Sequence, residues 1–181
     1  MDMKLIRFLA TITLLAPSIA YSEDEPGRLR LGVGFYLMEL YDEAVLSGRE
    51  AQYGGVLSVG YLINNNFVLH GNYYSLSSGD FDDTDIEGSE ILIYYGRDLT
   101  KRGVQQSIGG GYFSEDWDDS TGSKSLDGLQ LGYGIGYNWD DTSITALIHF
   151  RDSSEYDDTL TQLEDEINSV FVLSVIFSTR L

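Results

Sequence analysis

A strict two-residue alternation over residues 128–139 constrains the fold of this chain more than any other feature of its sequence. Large side chains occupy every second position, and glycines or amides occupy the positions between them. The large residues are Leu129, Leu131, Tyr133, Ile135, Tyr137 and Trp139, and the others are Gln130, Gly132, Gly134, Gly136 and Asn138. A period of two predicts a β-strand, whose successive side chains point to opposite faces. Because glycines cannot fill a soluble core, we expect the large side chains to face lipid and the small ones to face a narrow lumen.

Seven further segments alternate in a similar way, and the residues on their apolar faces carry no charge. With the first segment they predict eight strands, at 30–40, 53–63, 67–76, 89–99, 104–114, 128–139, 143–151 and 168–178. Each segment has about the length that a tilted membrane-crossing strand requires. The sequence therefore predicts an all-β fold, an eight-stranded antiparallel up-and-down transmembrane β-barrel.

Two of these segments are less regular than the others. The fifth is interrupted by Gly109-Gly110-Gly111, and the last is apolar on both faces around Val170 and Val172. A strand that is apolar on both faces is also typical of a soluble core. A soluble periplasmic barrel that binds an apolar ligand is therefore an alternative interpretation.

The connections between the segments alternate in length, as a barrel that begins in the periplasm requires. Short, turn-forming connections at 64–66, 100–103 and 140–142 separate long ones at 41–52, 77–88, 115–127 and 152–167. Aromatic residues are expected to form an outward girdle at the end of the short turns, at Tyr61, Phe67, Tyr95, Tyr137, Trp139 and Phe177. Both chain ends are then expected on the periplasmic side.

The first residues have the three-part layout of a secretory signal. Lys4 and Arg7 precede the apolar stretch 8–16, and Ser18-Ile19-Ala20 supplies the small residues of a cleavage site. We expect a signal peptide at 1–20, with cleavage after Ala20 or else after Ser22, and a barrel domain at 21–181. Export to the cell outer membrane follows from this interpretation. The chain has no cysteine, which excludes disulfides, thiolate metal sites and a lipoprotein anchor.

The chain is strongly acidic, with 29 acidic against 11 basic residues and a formal net charge of -18. This charge opposes binding to nucleic acid. Much of the acid lies in the long connections, where Ca²⁺ or Mg²⁺ would bridge it to anionic lipopolysaccharide, although simple solvation of the loops is the favoured explanation. The weak metal candidates are Asp83, Asp85 and Glu87, spaced as in a helix-loop-helix calcium loop, but the twelfth position of that pattern is Tyr94 instead of glutamate.

Several polar residues fall on the lumenal side of the predicted strands. They are expected to form a lumenal polar network of His70, Asn72, Glu90 and Arg151, in which Glu90 and Arg151 are the best charge pair. His149 is also inward. No catalytic constellation and no cofactor site can be assembled from these residues.

The glycine-aromatic strand 131–137, together with the signal, the eight alternating segments and the apolar last strand, resembles small outer-membrane barrels of the OmpA, OmpX and opacity-protein type. The chain departs from them at its end, where Phe177 is followed by Ser178-Thr179-Arg180-Leu181 instead of closing the strand as its last residue. The resemblance implies a non-enzymatic barrel with a structural or surface-interaction role. Its expected partners are outer-membrane lipid, lipopolysaccharide and, during insertion, the outer-membrane assembly machinery.

An outer-membrane lipid-modifying enzyme is the second alternative. Lipid A deacylases are similar barrels whose motif pairs a histidine with a serine two residues later. Here His149-Phe150-Arg151 has arginine at that place, so the likeness fails at the nucleophile.

Overall fold

The computed structural model describes residues 28–42, 50–78, 84–119, 122–154, 156 and 167–181. These residues form eight strands: β1 (Leu29–Asp42), β2 (Glu50–Leu62), β3 (Phe67–Ser78), β4 (Asp85–Gly96), β5 (Gly103–Asp119), β6 (Gly122–Asn138), β7 (Thr142–Arg151) and β8 (Ile167–Arg180). Each strand pairs antiparallel with the next, and β8 pairs with β1, so the sheet closes into a barrel. The predicted fold class is confirmed. Residues 1–20, with the expected signal peptide, lie outside the described residues.

The large side chains of β6 point out of the barrel, as predicted. Leu131 is 71% exposed and Tyr133 is 42% exposed, whereas Gly132 and Gly134 are buried. The same alternation holds on other strands, where exposed large residues include Leu31, Val33, Phe35, Leu57, Ile91, Ile93, Ile108, Tyr112, Phe150 and Phe177. An apolar exterior therefore surrounds the sheet.

The interior is larger and more apolar than the sequence predicts. We expected a mainly small or polar lumenal face, but Tyr36, Tyr74, Tyr94 and Phe113 are fully buried inside the barrel. Inward glycines make room for these rings. A Cβ on Gly88 would lie 2.3 Å from the Tyr74 ring, closer than side chains approach. The glycines are thus partners of the interior aromatic residues, and the lumen is a packed core.

The two ends of the barrel differ. At the turn end, short connections at 63–66, 97–102 and 139–141 join successive strands. At the loop end, the predicted long connection at 115–127 is wrong, because β5 and β6 continue as paired strands to Asp119 and Gly122. Gly122, the first residue of β6, has a φ of 147°, a value that favours glycine. Within the described part of the chain, no helix has the length and apolar character that a membrane crossing requires.

Candidate functional site

An arginine lies at the centre of the loop-end half of the lumen. Arg151, the last residue of β7, uses all five of its N–H donors on side chains from across the barrel. The acceptors, with donor–acceptor distances, are Gln130 Oε1 at 3.2 Å, Glu115 Oε2 at 2.7 Å, and the hydroxyls of Tyr156 at 2.8 Å, Tyr36 at 2.7 Å and Tyr74 at 2.9 Å. We call Arg151 with Glu90, Glu115, Gln130, Tyr36, Tyr74 and Tyr156 the arginine cluster. A fully bonded buried guanidinium of this kind fixes the positions of its partners.

Two buried glutamates balance the guanidinium. Glu115 forms the closer ion pair with Arg151, at 2.7 Å, and Glu90 lies at 3.6 Å. Glu115 also accepts hydrogen bonds from Tyr74, Tyr156 and Trp117. The sequence placed Glu115 in a solvated acidic loop, and this expectation is wrong because β5 extends far enough to turn its side chain inward, where it is 1% exposed.

The expected lumenal network is brought together only in part. Asn72 donates to Glu90 at 2.7 Å and Gln130 donates to it at 2.8 Å, so Asn72, Glu90 and Arg151 share one cluster. His70 lies apart, nearer the turn end, with its ring edge against Tyr94. His149, which we did not include in the network, instead has its Nδ1 3.8 Å from Glu90 and its Nε2 2.5 Å from the Tyr94 hydroxyl.

Aromatic rings complete the closure of the loop end. Tyr36 stacks on Tyr74 with ring centroids 4.3 Å apart, and the Arg151 guanidinium lies 4.2 Å from the centre of the Phe113 ring. Tyr156, which follows β7, stacks on Phe113 and is fully buried. Burial raises the pKa of the Tyr156 hydroxyl well above its usual value, so it stays protonated and donates to Glu115. The arginine cluster and these rings therefore fill the lumen at the loop end.

A connection closes the turn end. Residues 97–102, which we call the strap, fold across the barrel mouth and insert Leu99, which is 6% exposed. Side chains from four strands hold the strap carbonyls: Arg30 and Asn138 donate to Leu99 O at 3.0 and 2.8 Å, Arg180 to Thr100 O at 2.8 Å, and Gln105 to Lys101 O at 2.9 Å. We expected Leu99 within the fourth strand. The structure ends β4 at Gly96, and the Leu99 side chain is instead buried at the turn end of the lumen.

A small chamber lies between the strap and the arginine cluster. It has a volume of about 30 Å³, and its lining includes Arg30, His70, Tyr94, Leu99 and Gln105. Three buried polar atoms of this lining have no hydrogen-bond partner among the described residues: Arg30 Nε, His70 Nδ1 and Gln105 Oε1. The chamber therefore has unpaired polar atoms beside the apolar side chains of its lining, which is unusual for a packed core.

The weak metal candidates lie on the outside of the barrel. Asp83 lies outside the described residues. Asp85 and Glu87 are on the outward face of β4, directly across from Asp118 and Asp116 of β5. The described residues contain no group of three or more His, Asp or Glu side chains arranged to hold a metal ion.

The serines that follow β7 do not reach the buried histidine. His149 is enclosed between Tyr94 and Glu90, whereas Ser154 is exposed beyond the end of β7. Nothing among the described residues places a nucleophile next to His149. This arrangement gives no support to the deacylase alternative.

Comparison with known proteins supports the fold alone. No family model matches the sequence, and no curated protein matches it. Among solved structures, Neisserial surface protein A (NspA) has a TM-score of 0.65 at 13% identity, over 87% of this chain and all of that one. The N-terminal β-barrel domain of Pseudomonas aeruginosa OprF has a TM-score of 0.58 at 14% identity, over 85% of this chain and 99% of that one. Ail, the attachment invasion locus protein of Yersinia pestis, has a TM-score of 0.56 at 17% identity, over 87% of this chain and all of that one.

Proposed function

We propose that this chain is a non-enzymatic outer-membrane barrel with a structural or surface-interaction role, its turn end in the periplasm and its loop end outside the cell. The observation that carries the proposal is the polarity of the sheet. Large apolar residues such as Leu131 and Val104, 71% and 66% exposed, surround a polar centre built on Arg151. A monomeric soluble protein rarely exposes a continuous apolar belt, whereas lipid covers such a belt at no cost.

The same observation weighs against the soluble alternative. That interpretation rested on the apolar last strand, whose Val170 and Val172 are buried inside the barrel. On the same strand Phe177 is 52% exposed and Val175 is 37% exposed. A soluble carrier would keep its large residues inside and leave a cavity for its ligand, but the chamber is too small for an apolar ligand.

The packed lumen supports a role without transport of large solutes. The arginine cluster fills the barrel at one end and Leu99 of the strap fills it at the other. Eight strands enclose a space that side chains just fill. The surfaces left for recognition are therefore the rims and the outward face, as expected of an envelope or surface protein.

Cell fractionation tests the location. We expect the protein in the outer-membrane fraction, and we expect its electrophoretic mobility to differ between unheated and boiled samples, because a closed barrel resists detergent until it is heated. The control is a soluble periplasmic protein from the same cells. Recovery in the soluble periplasm would contradict the proposal.

A finer part of the proposal concerns four outward carboxylates, which we call the carboxylate ladder: Asp85, Glu87, Asp116 and Asp118. The register sets Asp85 directly opposite Asp118 and Glu87 directly opposite Asp116. Like charges directly opposite one another destabilise a sheet. A divalent cation held jointly by the ladder and by lipopolysaccharide phosphates would reduce that repulsion.

The height of the ladder favours this partner. Glu87 lies eight residues beyond Tyr95, which is outward and 54% exposed near the turn end. Eight residues of a strand tilted by about 40° rise about 20 Å, and the apolar band of such barrels is about 25 Å tall. This rise brings Glu87 to the upper part of the apolar band, which supports a partner at the level of the outer-leaflet headgroups for the ladder.

Binding of lipopolysaccharide to the folded protein in detergent tests this part. We expect binding to require Ca²⁺ or Mg²⁺, to be reversed by EDTA, and to weaken by about tenfold or more in the double variant Glu87→Gln/Asp116→Asn, which loses half of the ligand charge. The matched control is Asp140→Asn/Asp141→Asn, two exposed acids at the turn end. Binding that is unchanged by EDTA, or by the ladder variant, would contradict cation bridging.

A further inference from the structure

Two arginines face each other at the turn end, and no acidic side chain among the described residues forms an ion pair with either. Arg30 of β1 is directly across from Arg180 of β8, and both guanidinium groups bind strap carbonyls. The ion pairs at this end of the described structure are Lys101 with Asp98 and Arg102 with Asp140, and neither includes Arg30 or Arg180. Adjacent like charges in a partly buried place need a counter-charge.

The chamber lies directly against one of these arginines. Arg30 is only partly exposed and lines the cavity, and its buried Nε has no partner among the described residues. Its other contacts are neutral, a carbonyl of the strap at 3.0 Å and the Asn138 amide oxygen at 3.4 Å. A guanidinium in such surroundings lacks the carboxylate that buried arginines normally have.

The rest of the lining can also donate hydrogen bonds. His70 has an unpartnered buried Nδ1, and the hydroxyl side chains of Ser107 and Thr145 line the same cavity. An imidazole nitrogen or a hydroxyl donates as readily as it accepts. One positive charge and several neutral donors around a small space are what a small anion requires.

We propose that the chamber is a binding site for a small monovalent inorganic anion, a halide such as chloride, with Arg30 as its charged ligand. The volume of about 30 Å³ holds about two occupants of the size of water. One is the anion beside Arg30. The other is a water that donates to Gln105 Oε1, the one unpartnered atom of the lining that only accepts.

The strap explains how the anion is retained. Leu99, which is 6% exposed, lies on the turn-end side of the chamber and narrows it there, so a movement of the strap would widen the route by which the anion exchanges. The anion in turn offsets the repulsion between Arg30 and Arg180, which hold the strap. Binding and closure are therefore coupled through the same two guanidinium groups.

Bromide locates the site directly. The whole protein is refolded in detergent in sodium bromide, crystallised, and measured at the bromine absorption edge. We expect an anomalous peak in the chamber within hydrogen-bond distance of Arg30 Nε. Solvent density without an anomalous peak would mean water alone and would overturn the proposal.

Thermal unfolding supplies the second measurement. We expect the midpoint to rise by about 3 to 6 °C for each tenfold increase in chloride above its Kd, and not to rise in gluconate, which is too large to enter. The rise should vanish in Arg30→Met and persist in Arg102→Met, a variant of an exposed arginine outside the chamber. An equal rise in both variants, or in gluconate, would overturn the proposal, and if Arg30→Met does not fold the bromide experiment decides alone.

Discussion

Arg151 illustrates how one side chain can organise the inside of a barrel. Its five donors reach residues from β1, β3, β5 and β6 and the segment after β7. The sequence indicated Arg151, Glu90 and Asn72 because each interrupts an otherwise small or apolar lumenal face. It gave no sign of Glu115, whose position in an acidic run looks the same whether the strand continues or ends.

Substitution of Arg151 tests how much the arginine cluster contributes to the free energy of unfolding. Arg151→Met keeps much of the volume but leaves Glu90 and Glu115 buried without a cation, so we expect a loss of roughly 3 to 5 kcal/mol in the free energy of unfolding. Urea unfolding in detergent measures it. The exposed variant Arg102→Met should change that free energy by less than about 0.5 kcal/mol. A small effect of Arg151→Met would mean that the cluster is not a stabilising unit.

Two glycines offer a matched pair on opposite faces of the sheet. A Cβ on inward Gly132 would lie 2.6 Å from both His149 and the Tyr94 hydroxyl, whereas a Cβ on outward Gly71 would meet nothing within 4 Å. We expect Gly132→Ala to destabilise the barrel by roughly 1 to 3 kcal/mol, because an overpacked interior must shift. Gly71→Ala should leave stability unchanged or raise it slightly. Equal effects of the two substitutions in urea unfolding would contradict the inward and outward assignment.

The strap is the element that the sequence described least well. Its pattern, Asp98 between apolar and basic residues, looks like an ordinary short turn, and the apolar Leu99 looks like the end of the strand before it. Only the closed barrel brings Arg30, Asn138 and Arg180 within hydrogen-bond distance of the Leu99 and Thr100 carbonyls. The strands were predictable because their signal is local, whereas the strap depends on contacts between residues far apart in the chain.

A chain without cysteine allows the strap to be tested by labelling. Ser107→Cys places one thiol in the lining of the chamber, and we expect it to react slowly with a small charged thiol reagent while Leu99 closes the mouth. Adding Leu99→Ala should make the reaction much faster. Ser75→Cys, at an exposed outward position, should react at the same rate with and without Leu99→Ala. Rapid labelling of Ser107→Cys with Leu99 intact would show that the strap does not seal the chamber.

Among the described residues, the turn end carries more basic than acidic side chains, although Asp98, Asp140 and Asp141 also lie there. Basic residues gather near the turn end, at Arg30, Arg97, Lys101, Arg102 and Arg180, while the carboxylate ladder stands toward the loop end. Composition alone gave the net charge of -18 but not this distribution. The register of eight strands was needed to set Asp85 against Asp118 and Arg30 against Arg180.

The arginine cluster also has a consequence for the order in which the chain acquires its shape. Tyr36 and Arg151 are 115 residues apart, and Tyr74 and Arg151 are 77 apart, so these contacts have no counterpart in any single hairpin. A growing sheet with an open seam between β1 and β8 gains nothing from them. These contacts can stabilise the chain only after β1 and β8 have paired, so we expect them to form late in folding. Arg151→Met should therefore accelerate unfolding far more than it slows refolding, a difference that stopped-flow fluorescence in detergent can measure. The arginine cluster would then chiefly slow the unfolding of the closed barrel and would contribute little to the rate at which the barrel forms.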